Sequence, residues 1–476
     1  MAKSGRSSGW LFRVNSVTLP MNMKGKKRVL LTGATGVMGR ASMKEIASRP
    51  DLYSLTVFVR DSKKNRRILA PWLAKGVEVC WGDLNDPSAI GNAVKNADIV
   101  LHVGGMVSPA ADWHPRLTVK TNVGAMRNIV DAARTMDFPP AIVYIGSVAQ
   151  YGHRDVPNHW GGTGDPLLPA LYDAYAYSKT EAERILAESG LPRWVSLRQT
   201  GILHSGLLMK ASDPITFHVP VEGVLEWATA RDSGRLMERV CREEVPDDFW
   251  KHFYNIGGGA AYRLTNYEFE SRLLAAMGCP PPEKVFEARW FATGNFHGFW
   301  FDDSDRLEEI LHFRAGDTPE EYFAMMKKEL PWYFSLAPLA PAPVIKCVMK
   351  RVAHTPRLGP MWWVREGKEG RIKAAFGSKE AWAALPGWNG FNLSRPDDKL
   401  PPHKEQPYDW SAVKDVASSR KGSLISVDDA PLDPDTLLML ECSEGHTFNL
   451  RARTLLEGGH WCPSCMLKRA RMDEEE

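Results

Sequence analysis

The sequence contains no run of eighteen or more apolar residues, so no membrane-spanning helix is expected. The first 27 residues carry Lys3, Arg6, Arg13, Lys24, Lys26 and Lys27 but neither a continuous apolar core nor a small-residue cleavage site. They read as a disordered basic leader (1–27) rather than a secretory signal. An excess of charge of one sign is also missing. Sixty basic residues against 57 acidic ones leave +3, too little to point to nucleic acid or an anionic membrane as partner. Cysteine is scarce: seven residues, an odd number scattered along a long chain, do not make a disulfide framework. Cys80, Cys241, Cys279 and Cys347 are isolated and read as free thiols, which fits a reducing cytoplasm. No internal repeat is visible.

What is present is an ordinary globular composition, 44% hydrophobic and 25% charged over 476 residues. At roughly 150 residues per domain this length predicts two or three domains. From Arg28 to about 200, apolar runs (RVLLTGATG, LYSLTVFVRD, VEVCWGD, ADIVLHVGG, AIVYIGS, RWVSLRQTG) alternate with segments of helical period. That alternation predicts an α/β fold, a Rossmann-like doubly wound parallel sheet with right-handed crossovers. Residues 28–335 are expected to form this domain, with the core at 28–200 and a smaller substrate part at 201–335. The stretch 336–405 is rich in Pro and Trp and reads as a connecting region with short ordered pieces. Within it PVIKCVMKRV is expected as a helix packed on the main domain. A separate small module follows at 406–476.

TGATGVMG starts at Thr32, after an apolar strand and before a helical stretch. Its glycines permit a tight turn and close backbone approach to a pyrophosphate, and the helix N-terminus offers unpaired N–H groups to the anion. Gly33, Thr35, Gly36, Val37, Met38 and Gly39 are the candidate cofactor residues of this loop. The second strand ends VFVRD, where the ribose 2′ position is read. Arg60 favours a 2′-phosphate and hence NADP, while Asp61 keeps NAD open. Asp83 and Leu84, in WGDLND, are placed to flank an adenine.

ALYDAYAYSKTEAERIL has helical period, and Tyr175 and Lys179 are four residues apart on one face. A cation beside a phenol favours the phenolate and brings its pKa down toward the working range. Lysine can also hold ribose hydroxyls. AIVYIGS ends at Ser147, a hydroxyl at the carboxyl edge of the sheet where ligands bind, able to donate to a substrate oxygen.

With these residues in place the chain resembles the extended short-chain dehydrogenase/reductases, the NAD-dependent epimerase/dehydratase superfamily. TGATGVMG is similar to the nucleotide loop, GDL to the adenine-side motif, GSVAQYG to the strand bearing the catalytic serine, and YAYSK to the active-site Tyr and Lys. The resemblance covers about residues 28–330. It implies Tyr175 as general acid/base, Lys179 as its partner, Ser147 as the oxygen-polarising group, and Asn122, in TNVGAMRN, as a support of the active-site helix. It also implies a homodimer. After the fourth strand the chain reads His102, Val103, Gly104, Gly105, so Val103, Gly104 and Gly105 are expected to give the nicotinamide close backbone approach. After the sixth strand it reads LRQTGILHSG, without the asparagine expected to hold a sugar nucleotide. That departure points toward hydroxysteroid dehydrogenases and carbonyl reductases rather than sugar epimerases.

The expected function is therefore hydride transfer between NADP, or NAD, and a carbonyl or secondary alcohol. An epimerase or dehydratase that regenerates its cofactor in each cycle is the enzymatic alternative. A cofactor-bound scaffold that recruits a partner through the tail is the non-enzymatic one. Met106, Trp113, His114, His204, Phe217, Trp227 and the segment ARWFATGNFHGFWFDD suggest an apolar or aromatic small-molecule substrate. In the tail, Cys442, His446, Cys462 and Cys465 offer thiolate and imidazole, the ligands of a closed structural zinc site. The spacing resembles a treble-clef zinc ribbon. The acidic end Asp473–Glu476 offsets Lys468, Arg469 and Arg471, which disfavours nucleic acid.

Overall fold

Seven apolar segments form the sheet: β1 (Lys27–Thr32), β2 (Tyr53–Val59), β3 (Glu78–Trp81), β4 (Ile99–His102), β5 (Ala141–Ser147), β6 (Trp194–Gln199) and β7 (His252–Ile256). In this computed structural model, which describes residues 25–209, 213–403, 405–426 and 430–470, the strand order is β7-β6-β5-β4-β1-β2-β3. All neighbouring pairs are parallel. The expected doubly wound α/β fold is the one observed. The part of the basic leader up to residue 24, and the acidic end, lie outside the described residues.

Both faces of the sheet are buried, and successive side chains point to opposite sides. Val29, Leu31, Leu101, Val143 and Val195 fall in one core; Leu30, Val100, Ile142 and Trp194 fall in another. The order reverses between β1 and β4, so the loops leaving their carboxyl ends part there and open a crevice. On the second face the Pro115–Arg134 and Ala174–Ala187 helices pack against each other.

A further core lies beyond the sheet. Phe217 meets Phe286, Trp290 and Phe291 edge-on, with centroids 5.1–5.8 Å apart. The same core takes Met349, Val352 and Ala353 from the Ala342–Ala353 helix, Met361, Trp363 and Val364 from Pro360–Arg365, and Ile372, Ala375 and Phe376 from Glu369–Phe376. The Pro/Trp-rich stretch thus breaks into short helices, as proline dictates, and each contributes apolar residues to a shared interior. Among the described residues no helix is long and apolar enough to cross a membrane.

The tail builds a core of its own. Strand Leu437–Glu441 alternates exposed and buried residues and pairs antiparallel with Thr447–Arg451, and Val413, Leu438, Leu440, Leu450 and Leu455 close over it. This unit sits on the sheet domain through directed contacts. Lys251 pairs with Asp435 at 2.8 Å, and Arg451 N donates to Glu188 at 3.0 Å. Gly164 N donates to Glu457 O at 2.6 Å and Leu167 N to Gly459 O at 3.0 Å.

Candidate active site

One cavity of about 1300 Å³ opens along the crevice. Its wall takes in Gly33, Thr35, Gly36, Val37, Met38 and Gly39 from the first loop, Arg60, Asp83 and Leu84 from the next strand ends, and Val103, Gly104 and Gly105 after β4. Ser147, Tyr175 and Lys179 line it as well. The expected site residues are therefore brought together, except Asn122, which stands behind the wall.

The first loop is shaped for close approach. Gly33 has φ +72°, and a Cβ there would lie 2.7 Å from the Gly104 backbone. A Cβ on Gly39 would lie 2.1 Å from Gly33 O. Gly36 N bonds Gly33 O at 2.9 Å, and the Val37–Ala47 helix starts with no side chain capping its amides. Unpaired N–H groups at that terminus face the cavity wall, the arrangement that holds a diphosphate. His102 turns into the core rather than the crevice. Burial holds its pKa down at about 3, and the neutral ring bonds Thr32 Oγ1 at 2.9 Å, which in turn accepts from Gly104 N at 2.9 Å. The dinucleotide loop and the loop after β4 are tied together this way.

At the next strand end Asp61 is locked by Arg66 through two 2.6 Å bonds, and Arg66 also covers the Trp81 ring at 4.9 Å. Arg60 and Lys64 line the cavity wall together with Asp61. Asp83 caps its own turn by accepting from Asn85 N at 2.8 Å while still lining the cavity.

Tyr175, Lys179 and Glu183 follow one another at single-turn spacing along the Ala174–Ala187 helix. The Ser147 hydroxyl stands near enough to the Tyr175 phenol to favour its ionised form. Burial pushes the Tyr175 pKa up to about 12, and the Ser147 hydroxyl pulls the other way. The depression expected from Lys179 is not present in the chain alone, because the ammonium is directed elsewhere. Lys179 Nζ lies 6.0 Å from the Tyr175 ring centre and donates to Ile145 O at 2.7 Å. Burial brings the Lys179 pKa down to about 8, opposed by the carboxylate of Glu183. Asn122 joins the parts from behind: Nδ2 donates to Met106 O at 3.0 Å and to Ser178 Oγ at 2.8 Å, and Oδ1 accepts from Met106 N at 2.7 Å.

The foot of this helix is a buried ion cluster that the sequence reading missed. Glu183 Oε1 accepts from Arg198 Nη2 at 2.6 Å and lies 2.8 Å from His460 Nε2. Oε2 accepts from Arg198 Nε at 3.0 Å and from Ser196 Oγ. Arg198 reaches Tyr151 Oη at 2.7 Å and Gly458 O at 2.6 Å. His460 and Gly458 belong to the tail, which therefore closes the underside of the helix. A charged residue inside a strand of a sheet buried on both faces was the available signal.

Of the expected substrate residues, Met106, His204 and Trp227 line the cavity, as do Ala292 and Gly294–Gly298 from the aromatic segment. Phe217, Trp290 and Phe299–Phe301 are core residues instead, and Trp113 is partly exposed beneath Arg357. Leu358, Trp363, Arg371 and Ala375, from the Pro/Trp-rich stretch, complete the wall.

In the tail, Cys442, Cys462 and Cys465 Sγ lie 3.3, 3.5 and 3.4 Å from His446 Nδ1, and Cys442 and Cys465 lie 3.7 Å apart. Four ligands on a tetrahedral zinc ion stand about 3.5–3.8 Å from one another, so the donor set and its spacing fit that ion.

Known proteins place this geometry. The NAD dependent epimerase/dehydratase family profile matches residues 29–191. The NAD-dependent glucose-6-phosphate dehydrogenase of Haloferax volcanii is 31% identical over 267 residues, 54% of this chain and 94% of that one. An inverting UDP-N-acetylglucosamine 4,6-dehydratase of Campylobacter jejuni is 28% identical over 111 residues, 23% of this chain, and the chain spans 33% of that protein's length. The dTDP-glucose 4,6-dehydratase of Bacillus anthracis in complex with NAD superposes with a TM-score of 0.52 over 64% of this chain and 96% of that one; at 15% identity the likeness is one of fold. By sequence along nearly the whole of one relative, and by the fold that carries it, the chain belongs to the NAD dependent epimerase/dehydratase family.

Proposed function

We propose that this chain is an NADP-linked oxidoreductase acting on a carbonyl or secondary alcohol of a largely apolar substrate. The observation that carries the reading is the meeting of Ser147, Tyr175 and Lys179 at the wall of the cavity that begins at the glycine loop. The amides at Val37–Gly39 would hold the diphosphate, Asp83 and Leu84 the adenosine side, and Lys179 the nicotinamide ribose. Arg60 and Lys64 would face a 2′-phosphate, while Asp61, neutralised by Arg66, would not repel it. When bound, the nicotinamide supplies or takes up a hydride.

The chain's own part is proton handling. With its pKa raised to about 12, Tyr175 is protonated at neutral pH and can donate to a carbonyl oxygen as that oxygen gains charge. Ser147 donates to the same oxygen and fixes its position. Lys179 is charged below about pH 8 and would stabilise the resulting phenolate once its ammonium turns from Ile145 O. Cys442, His446, Cys462 and Cys465 would hold zinc in a closed site, without an open position for catalysis. Such an ion would keep the tail pressed against the Ala174–Ala187 helix. Tyr175→Phe should abolish NADPH oxidation across a panel of ring ketones while leaving the Kd for NADPH unchanged. Undiminished turnover in that variant would overturn the assignment.

The names of the relatives favour a second reading, an epimerase or dehydratase with no net use of cofactor. Stoichiometric NADPH consumption with substrate decides between them.

A further inference from the structure

Six carboxylates are buried among the described residues: Glu183, Glu226, Asp232, Glu238, Glu270 and Asp303. Five of them are satisfied by the protein. Glu183 has Arg198, Glu226 has Arg263 and Ser304, Asp232 has Ala315 N, Glu238 has Tyr53 and Arg242, and Asp303 has Asn255 and Thr163 N. Glu270 is 5% exposed and has neither a hydrogen-bond partner nor an ion pair among the described residues. Its oxygens are not sealed off but open onto the cavity, so water satisfies them there and a ligand group can take that water's place.

Its place identifies where that group comes from. Asn266, Phe269, Glu270 and Leu273 share one face of the Asn266–Met277 helix, and all four line the large cavity. On its other side Glu270 borders a void of about 10 Å³ walled by Val221, Pro282, Phe291 and Trp388, too small for more than a water. The partner must therefore enter through the cavity. Beside Glu270, Phe269 is stacked on Trp227 at 4.1 Å and 16°, and Trp227 also lines the cavity. Burial pushes the Glu270 pKa up to about 8, so at neutral pH the group is a carboxylic acid that both donates and accepts.

We propose that Glu270 is a specificity residue that hydrogen-bonds a second oxygen function on a ring-bearing substrate whose apolar body packs along Phe269 and Trp227. The claim rests on the oxidoreductase reading and narrows its substrate class to ring ketones or alcohols carrying a further hydroxyl or carbonyl. A bare hydrocarbon does not supply that match at this wall.

The test uses the full chain loaded with NADP, with 4-hydroxycyclohexanone, 1,4-cyclohexanedione and 4-methylcyclohexanone as probes in calorimetric titration. The wild type should bind one or both oxygenated rings about tenfold more tightly than the methyl ring. A hydroxyl preference and a carbonyl preference separate the two forms of the second oxygen. Glu270→Leu should erase the preference and Glu270→Gln should keep most of it. The Kd for NADPH should be unchanged in Glu270→Leu. Equal binding of all probes by the wild type, or no binding by the oxygenated rings, overturns the proposal. Those results leave the role of Tyr175 standing, whereas failure of the Tyr175→Phe test removes the oxidoreductase reading whatever Glu270 does.

Discussion

Glu183→Gln is the most searching perturbation of this architecture, because one carboxylate serves both the stability of the helix and the charge of Lys179. The substitution keeps the shape but puts an amide N–H₂ against the donors of Arg198 and removes the one anion that this fully buried guanidinium pairs with among the described residues. Removing one partner of a buried, hydrogen-bonded ion pair costs about 3–5 kcal/mol. The titration of the group gives an independent figure. Burial opposes the charge on Glu183, but Arg198 and His460 overcome it and bring the pKa from 4.5 down to about 2, a shift worth on the order of 3 kcal/mol. The folded-state pKa is the lower one, so this stabilisation is complete above about pH 4.5 and is lost as pH falls toward 2. Urea unfolding at pH 7, followed by circular dichroism, should show the loss in the variant. At pH 3 the gap between wild type and variant should narrow. Lys179, deprived of the carboxylate that raises its pKa, should titrate below its present value of about 8. A loss under about 1 kcal/mol at pH 7, or a gap that widens in acid, would refute the reasoning.

Arg60→Ala should weaken NADPH binding about tenfold to a hundredfold, the value of a charge-assisted bond, and leave NADH binding unchanged in fluorescence titration. Equal losses for both cofactors would count against Arg60 as the reader of a phosphate. Affinity for either cofactor should fall as pH rises through about 8, where Lys179 loses its proton, and Lys179→Met should remove that pH dependence. Chelation at pH 7 should release one zinc per chain by mass spectrometry, and should expose the loop 164–172 to proteolysis, because Gly164, Leu167 and Pro169 are held by Glu457, Gly459 and Arg469 of the tail. A chain that carries no zinc as purified, with the loop protected, would contradict this.

The parts of the fold that were legible in the sequence are those governed by local rules. Strand and helix periods between 28 and 200 predicted the sheet, since a strand buried on both faces must be apolar throughout. The glycine loop, the Ser147 strand end and the Tyr175–Lys179 spacing could be placed because each is a short motif at the carboxyl edge of a parallel sheet. The Tyr175 pKa was misjudged for a physical reason. Four-residue spacing puts a lysine on the same helix face but does not aim it, and here Ile145 O takes the ammonium. Glu270 escaped notice because NYEFESRLLAAMG reads as an ordinary amphipathic helix. Its glutamate stands out only once Asn266, Phe269 and Leu273 are known to face a cavity.

What local pattern could not supply is the union of the tail with the catalytic helix. The contacts that make it join residues 260 and 277 apart in sequence, Arg198 with Gly458 and Glu183 with His460. No period or spacing rule reaches that far, and each residue alone has a bland reading. Arg198 could have been an edge-strand charge, Glu183 a solvated helix position, His460 a turn residue before a cysteine pair. Packed together they are mutually dependent, since each would be costly to bury without the others. A tail that were merely tethered would present a solvated surface here, with water satisfying these groups. Instead it presents His460 to a carboxylate one turn from Lys179 and the Gly458 carbonyl to Arg198. The Cys442–His446–Cys462–Cys465 cluster lies two residues from His460 along the chain, so whatever tightens that cluster bears directly on how firmly the helix carrying Tyr175 is held.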